Sequence, residues 1–355
     1  MKAAFLAGTL LALAVAGCGG AAPASQPPAS SASSVDALYA QAKTEGTVEW
    51  YTSLADNVVG SIIEAFQNTY PGVKVNRTQM TAEQLTSTIK VQQAAHHVTI
   101  DVGNTIEASV SDLLDAKIAA DIDWSKLGVP KERILEKVLV TYWYSPNVVV
   151  YNTQKVAAAD APKSWDDLLD PKWQGKIAMD GRGSMLEVFV ASPQLGGAAK
   201  GLEYAKKLAA QQPLYQANNS AVEPMVISGQ VLVASDILPN LIGAQKKGAP
   251  IDLAPISPIH SPGNFAYVPD GAPHMAAAQL LVSWLASPGG LKALDAAGSS
   301  NPTSSCDGQD LPAATAALCS HHIQSTTLTD LAQYRQLGDF QTQVQKTLGT
   351  YTGSK

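Results

Sequence analysis

The sequence predicts an α/β protein of two lobes, each a mostly parallel sheet flanked by helices, joined by a hinge of crossing strands. Short β-rich runs alternate with helical patterns from residue 47 to residue 117, which favours parallel strands with right-handed crossovers. The alternation breaks at Val138–Asn152, and a second set of elements begins at Ser164. Beyond its N-terminal tract the chain has about 320 residues, more than one hydrophobic core usually serves.

The first lobe is predicted from three strands, each followed by a helix. Strands are expected at 47–52, 73–76 and 98–102. Val59, Ile62 and Phe66 share one face of the first helix, and Pro71-Gly72 ends it.

The second lobe repeats this pattern, with strands predicted at 176–179, 231–235 and 251–255. The apolar helix at 272–286 is expected to return the chain to the first lobe. The lobe boundaries follow, with 36–145 and 260–305 in lobe 1 and 146–259 and 306–355 in lobe 2. The helical stretch 327–347 is expected to pack on lobe 2.

The N-terminus has the layout of a secretory signal. Lys2 precedes an apolar run from Ala3 to Ala16, which is too short for a bilayer span of about 20 apolar residues. The segment resembles a bacterial lipoprotein signal, with residues 1–17 removed and Cys18 lipidated; an ordinary signal peptide is the alternative. Residues 18–35 are rich in Gly, Ala, Pro and Ser and are predicted to form a disordered tether.

Cysteine is otherwise confined to Cys306 and Cys319, which bracket a polar loop. A disulfide between them is the preferred interpretation and suits an oxidising compartment. Two free thiols, or a metal site with His321 and His322, are the alternatives.

A net charge of −6 argues against nucleic acid as a partner, because nucleic-acid binding calls for a basic face. No later segment is apolar enough to cross a membrane. The composition predicts a soluble, globular chain, and a monomer is the expected state.

Nearly the whole chain after the tract carries a family resemblance. Residues Glu45 to Ser53 look like the opening strand of solute-binding proteins of ATP-driven (ABC) importers, in the branch with ferric-ion, phosphonate, sugar-phosphate and thiamine binders. Further landmarks match in order: Phe66 with Tyr70-Pro71-Gly72-Val73-Lys74-Val75, Val150-Tyr151-Asn152, Pro162 with Ser164-Trp165-Asp166-Asp167-Leu168, Pro171-Lys172-Trp173-Gln174-Gly175-Lys176-Ile177, and Ala276 through Ser287-Pro288-Gly289-Gly290. The resemblance implies a type 2 periplasmic-binding-protein fold, with a solute cleft between the lobes and no cofactor.

Polar turns follow the predicted strands of lobe 1. Thr52 and Ser53 end the first strand where a helix begins, so hydroxyls and free N–H groups suit an anion there. Asn104 follows the third strand in the same way. A helix cap by Ser53 or Asp56, and a plain turn at Asn104, are the alternatives.

In lobe 2 the turn Asp180-Gly181-Arg182-Gly183-Ser184 stands where this family commonly grips its ligand. Arg182, one of four arginines in the chain, offers a planar fork to a carboxylate, phosphonate or phosphate. Asn218 opens a helix and Asp236 ends a strand, which adds both to the candidate site with Ser184. A solvated arginine or lobe-to-lobe salt bridge, and a simple cap at Asn218, are the alternatives.

The chain departs from the ferric branch, whose members present tyrosines after the strand that corresponds to 231–235. No tyrosine or histidine occurs between Ser228 and Ala254. An organic solute is therefore expected, with Tyr144 as an aromatic contact. Strand alternation places Tyr142 and Tyr144 on one face.

Enzyme motifs for acyl transfer, zinc hydrolysis and phosphate binding are missing from the sequence. The chain is therefore predicted to be no enzyme. A lipid-anchored hydrolase with Ser184 as nucleophile and His260 as base is one alternative, and an interaction lipoprotein is another.

The prediction is thus an extracytoplasmic, membrane-anchored capture protein that closes two lobes on a small, anionic or zwitterionic organic solute. An ABC permease in the cytoplasmic membrane is the expected partner. The predicted ligand-binding residues are Thr52, Ser53, Asn104, Tyr144, Arg182, Ser184, Asn218 and Asp236, and no metal site is expected.

Overall fold

The computed structural model describes residues 35–54, 56–297, 306–307 and 311–350. The predicted signal, the lipidation residue Cys18 and the tether as far as residue 34 lie outside the described residues.

The strands alternate with helices along most of the chain. The strands are β1 (Thr47–Thr52), β2 (Lys74–Gln79), β3 (Gly103–Ile106), β4 (Ile134–Leu135), β5 (Leu139–Tyr144), β6 (Asn147–Asn152), β7 (Ile177–Asp180), β8 (Leu214–Gln216), β9 (Val233–Ile237), β10 (Ile251–Leu253), β11 (Ile259–His260), β12 (Gly263–Tyr267) and β13 (Ser325–Thr326). The helices are α1 (Val35–Glu45), α2 (Asp56–Thr69), α3 (Ala82–Ala94), α4 (Val110–Ala116), α5 (Val188–Ala191), α6 (Gly197–Ala210), α7 (Asn219–Ile227), α8 (Leu238–Lys246), α9 (Met275–Leu285), α10 (Pro288–Ala296), α11 (Ala313–Ser320) and α12 (Leu331–Leu348). Short 3-10 turns at Glu107–Ser109 and Ser184–Glu187 follow β3 and β7.

Both lobes are α/β, as predicted, but their sheets are mixed rather than mostly parallel. In lobe 1, β1 and β2 pair in parallel, while the order β3-β12-β5-β4 is antiparallel throughout. In lobe 2 the order is β10-β6-β9-β7-β8, parallel from β9 to β8 and antiparallel where β6 and β10 join. The antiparallel members include β5, β6 and β12, which lead into or out of the crossings between the lobes.

The strand expected at 98–102 is the clearest local difference. Only Val102 bridges β1 in parallel, and the regular strand begins one residue later, at Gly103. The buried Asp101 carboxylate explains this, because it accepts hydrogen bonds from the backbone N–H groups of Glu49 and His274, each at 2.7 Å. Side-chain bonds therefore take the place of a longer strand ladder.

The contacts of two helices, α9 and α12, show which lobe each of them packs against. The apolar α9 packs against α1 and β1, which returns the chain to lobe 1 as predicted. The C-terminal α12 packs on α5 and α6 of lobe 2 but also on α4 and the Glu107–Ser109 turn of lobe 1. The helix expected to pack on lobe 2 therefore contacts both lobes.

The predicted disulfide is present between Cys306 and Cys319, with 5.7 Å between their Cα atoms. This confirms the preferred interpretation over the free thiols and over a cysteine–histidine metal site. Among the described residues, no helix has the length and apolarity needed to cross a membrane.

Two helical glycines yield a matched stability prediction. A methyl group on Gly201 of α6 would lie 2.7 Å from Phe340 Cε2 and 2.8 Å from Phe189 Cβ, whereas one on Gly338 of α12 would meet nothing within 4 Å. Gly201→Ala should lower the free energy of unfolding by about 1–3 kcal/mol through overpacking. Gly338→Ala should raise it by about 0.5–1 kcal/mol through helix propensity.

Urea denaturation of both variants checks this prediction. A Gly201→Ala protein as stable as the wild type would show that α6 and α12 do not approach closely.

Candidate functional site

Ser53 and Asn104, both predicted site residues of lobe 1, contact each other, although Asn104 lies within β3 and not in a turn after the third strand as predicted. Ser53, which follows β1, donates its backbone N–H to Asn104 Oδ1 at 2.9 Å, and Asn104 Nδ2 donates to Ser53 Oγ at 3.1 Å. Asn104 is fully buried and Ser53 only partly, so the serine lies on the accessible side of the pair. Thr52 is fully buried, and its Oγ1 accepts the Leu54 N–H at 3.3 Å. Thr52 therefore supports the turn from inside.

Arg77 of β2 also reaches this turn, a residue that sequence reasoning missed. Its Nη2 donates to the carbonyl oxygen of Leu54. The register of β1 and β2, which pairs Trp50 with Arg77, brings the cation there. Helix and strand patterns give no signal for this placement, because it depends on which strand neighbours β1.

In lobe 2 the buried Asp180 carboxylate organises the predicted ligand turn. Asp180 Oδ1 accepts the N–H of Arg182 at 3.1 Å, its Nε at 3.2 Å and the Ser184 hydroxyl at 3.0 Å, while Oδ2 accepts the Ser184 N–H at 3.3 Å. Gly183 lies between them at φ 72°, where a Cβ would come within 2.6 Å of Val344 Cγ1. Only glycine fits this left-handed position. Arg182 and Ser184 are thus brought together by Asp180.

Arg182 is both paired and accessible. Its side chain is 54% exposed, whereas that of Asp180 is fully buried. The ion pair uses Nε, and the two terminal nitrogens of the guanidinium make no hydrogen bond to Asp180. The buried carboxylate partly compensates the charge that an anionic solute would meet.

The turn connects to neighbouring strands through further polar groups. Asp180 N donates to Ser235 Oγ at 3.1 Å, and Ser235 Oγ donates to Asn219 Oδ1 at 3.0 Å. Asn218 instead caps α7, accepting the Ala221 N–H at 3.0 Å, and is exposed. The residue that joins the cluster is therefore Asn219, next to the predicted one. We call Asp180, Arg182, Ser184, Asn219 and Ser235 the Asp180 cluster.

Asp236 lies apart from this cluster. Successive residues of β9 face opposite sides, so Asp236 points away from Ser235 and towards α8. Its Oδ1 accepts the Ile237 N–H at 2.8 Å and Asn240 Nδ2 at 3.0 Å, while Oδ2 is buried with no partner among the described residues. Burial raises the pKa of Asp236 to about 7. Arg182 pairs with Asp180 and not with Asp236.

Tyr144 lies elsewhere, in the wall of a separate cavity that it shares with Thr141. Tyr142 packs in the lobe 1 core against Trp50, with 6.4 Å between ring centroids. The expectation that both tyrosines share a face was wrong. A shift of register opposite Asn264 and Phe265 in β12 interrupts the alternation of β5.

A buried charge cluster joins the lobes where the chain crosses. Glu107 Oε2 lies 2.8 Å from His260 Nε2, and Glu187 Oε2 lies 4.0 Å from the same nitrogen. His260 Nδ1 lies 3.1 Å from the carbonyl oxygen of Thr326, and Gln341 of α12 donates to Glu187 Oε1. We call Glu107, Glu187 and His260 the hinge cluster. Sequence spacing gives no signal for it, since Glu107 and His260 are far apart in the chain.

The hinge cluster bears on the hydrolase alternative. Both ring nitrogens of His260 are engaged, by Glu107 and by Thr326, and the ring is fully buried. The Ser184 hydroxyl donates to Asp180 instead. The pair proposed as nucleophile and base is therefore not connected in the structure.

Burial and charge shift the pKa values of the hinge cluster. Burial raises the pKa of Glu187 to about 7, although His260 and Gln341 oppose this. Burial alone would lower the pKa of His260, but the charge and hydrogen bond of Glu107 outweigh it, so the pKa is raised. Both groups therefore hold a proton more tightly in the folded chain than in the unfolded chain.

A pH dependence of stability follows from these directions. The free energy of unfolding should fall as the pH rises from about 5 to about 8, because the folded protein binds the Glu187 proton more tightly than the unfolded chain does. Glu187→Gln should flatten this slope, by up to about 1.4 kcal/mol for each pH unit. The raised pKa of Asp236 also makes stability fall as the pH rises, so part of the slope should remain in Glu187→Gln.

Urea denaturation across that pH range measures the effect. Glu64→Gln, which changes an exposed carboxylate, is the control and should keep the wild-type slope. An unchanged slope in Glu187→Gln would contradict the assignment.

Comparison with known proteins identifies the family to which the chain belongs. The family described as bacterial extracellular solute-binding protein matches residues 61–317, well over half of the chain. The major ferric iron-binding protein of Neisseria gonorrhoeae is 28% identical over 198 residues, which are 53% of this chain and 59% of that protein. The match thus spans less than two thirds of the length of this curated relative.

Solved structures share the fold at low identity. Iron-bound HitA from Pseudomonas aeruginosa has a TM-score of 0.67 at 23% identity, covering 85% of this chain and 99% of that one. The spermidine/putrescine ABC transporter substrate-binding protein PotD from Streptococcus pneumoniae has a TM-score of 0.62 at 15% identity, with the same coverage of each chain. The two-lobed architecture is therefore the type 2 periplasmic-binding-protein fold, and the chain belongs to the bacterial extracellular solute-binding proteins.

Proposed function

We propose that this protein is the extracytoplasmic solute-binding component of an ABC importer, which closes its two lobes on a small organic solute and delivers it to a permease. The proposal rests on one observation: each lobe presents a set of polar groups. Lobe 1 has Ser53 with Asn104, and lobe 2 has the Asp180 cluster. Ser53 follows the end of β1 and Asp180 ends β7, and ligands of open α/β sheets bind at strand ends of this kind. Hinge closure around a solute fits such a division.

The proposed solute is anionic or zwitterionic. The terminal nitrogens of Arg182 supply hydrogen-bond donors for a carboxylate, phosphonate or phosphate. Asp180 compensates part of that charge, which favours a solute that also carries polar or cationic groups. Ser53 and Ser184 belong to the two polar sets that would form the remainder of the polar shell.

Ferric iron is the second candidate, because the curated relative from Neisseria gonorrhoeae is named as a ferric iron-binding protein. Against it, residues 228–254 contain no tyrosine, although β9 ends there. The described residues also contain no group of three His, Cys, Asp or Glu side chains placed to hold a metal ion. Tyr142 and Tyr267 are buried in the core, where burial raises the pKa of each phenol.

We further propose a monomer that is anchored to the extracytoplasmic face of a bacterial membrane through a lipid on Cys18. The lipoprotein-like layout of the N-terminal residues supports this anchor. The family description agrees with the extracytoplasmic location.

A ligand screen with matched arginine variants tests the proposed function. The full chain is tested by thermal shift against phosphonates, sugar phosphates, amino acids, carboxylates, polyamines, thiamine and ferric citrate. A solute at about 100 times its Kd stabilises the fold by about 2.7 kcal/mol. Titration calorimetry with Arg182→Ala should then show an affinity lowered about tenfold or more, the cost of a lost charged hydrogen bond.

Arg335→Ala is the matched control, because Arg335 is 59% exposed and paired with Asp115 at 3.2 Å. It should bind the solute like the wild type. Ferric binding unaffected by Arg182→Ala would instead support the iron candidate, and equal loss in both variants would contradict the proposed site.

The anchor has its own test. Cys18→Ala should move the protein from the membrane fraction to the soluble fraction of a bacterial host, and mass spectrometry should no longer find an acylated N-terminus. A variant that stays in the membrane fraction would contradict lipidation at Cys18.

A further inference from the structure

A second cavity, of about 310 Å³, lies beside the hinge, walled by β4, β5, β12 and the segment that leads into α12. Its lining includes Arg133, Tyr144, Phe265, Leu328 and Tyr334. It shares no lining residue with the Ser53–Asn104 pair or with the Asp180 cluster. Its volume is within the range, about 300–1,000 Å³, of sites that hold small molecules.

Arg133 is the unusual member of this wall. The residue is only 5% exposed, yet among the described residues its side chain makes a single hydrogen bond, from Nη1 to the carbonyl oxygen of Thr141 at 3.2 Å. Its guanidinium lies 5.8 Å from the centroid of the Tyr144 ring. Among the described residues, no carboxylate oxygen lies within 4.0 Å of it. A guanidinium stays charged, so burying it with so few partners is costly unless an anion completes the site.

The neighbouring carboxylates do not fill that role. Glu107 lines the cavity, but His260 holds its Oε2 and the Gly263 N–H holds its Oε1, each at 2.8 Å. Glu132 is exposed at the rim, next to Lys131, which offers a second cation there. Burial raises the pKa of Asp295 to about 6 although Arg133 opposes this, and Asp295 does not line the cavity.

The remainder of the wall suits an apolar body. Ile134, Leu135, Phe265 and Leu328 present aliphatic and aromatic surface, and the Tyr144 and Tyr334 rings add to it. We propose that this cavity is a second ligand site, which binds a small organic carboxylate with an apolar or aromatic body. The planar guanidinium of Arg133 binds the carboxylate through charge-assisted hydrogen bonds, and the apolar wall packs against the apolar part of the ligand.

Benzoate is the probe for this site, with benzamide as its neutral counterpart and inorganic phosphate as an anion without an apolar body. Titration calorimetry on the full chain should show benzoate binding at least tenfold tighter than benzamide or phosphate. Arg133→Lys keeps the charge but loses the fork, and should weaken benzoate binding about tenfold or more. Arg335→Lys makes the same exchange at an exposed ion pair and should change nothing.

A second variant keeps the test decisive if Arg133→Lys does not fold, as its melting temperature will show. Thr327→Trp fills the cavity from the α12 side and should abolish benzoate binding. Arg182→Ala should leave benzoate binding intact, which separates this site from the proposed solute cleft.

Four results would overturn the proposal. The first is no benzoate binding to the wild type, and the second is an equal affinity of the wild type for benzoate and for benzamide or phosphate. The third is benzoate affinity retained in both Arg133→Lys and Thr327→Trp, and the fourth is loss of benzoate binding in Arg182→Ala.

Discussion

A buried charge cluster at the crossing between the lobes constrains the remainder of the fold. Glu107 follows β3 of lobe 1, Glu187 belongs to the turn after β7 of lobe 2, and His260 ends the crossing strand β11. Removing three ionisable groups from water costs several kcal/mol for each charge unless geometry and hydrogen bonds compensate. Gly263 and Gln341 supply such bonds from two further segments. Five elements of the fold must therefore meet at one point, where the chain crosses between the lobes.

The polar sets on the two lobes are connected to the hinge cluster in different ways. The Asp180 cluster is rigid by itself, because one fully buried carboxylate accepts four hydrogen bonds from two residues. Asn147 extends it to the crossing, donating to the carbonyl oxygen of Ser184 at 2.9 Å and to Glu187 Oε2 at 3.4 Å. The lobe 2 half of the site is thus tied to the hinge itself. The Ser53–Asn104 pair has no described bond to the hinge cluster, so the lobe 1 half of the site is not tied to the crossing in this way.

The sequence predicted the structural features that depend on residues close together in the chain. The order of helices and strands followed from the periodicity of the apolar residues. Ser53 and Asn104 were both assigned to the candidate site and do meet, although Asn104 lies within β3 and not after the strand expected at 98–102. Tyr144 was misplaced because a register shift opposite Asn264 and Phe265 leaves no mark in the sequence. The roles of Asp180 and Asn219 depend on which side chains face inward at strand and helix ends. Arg133 and the hinge cluster depend on pairings between distant segments, which one sequence without its relatives does not reveal.

The C-terminal helix α12 has a mechanical consequence. Its N-terminal half contacts lobe 1 through the buried Tyr334 ring, which packs on Phe265 of β12, and through the exposed Arg335–Asp115 pair. Val344 lies against Gly183 in lobe 2, and Thr350 just beyond the helix donates to the carbonyl oxygen of Gly181. An exposed ion pair contributes at most about 1 kcal/mol, far less than a buried apolar contact of comparable size. The buried Tyr334–Phe265 contact therefore holds α12 to lobe 1 more strongly than the ion pair does. Since α12 has buried contacts with both lobes, any change in their relative position would have to rearrange the packing of this helix.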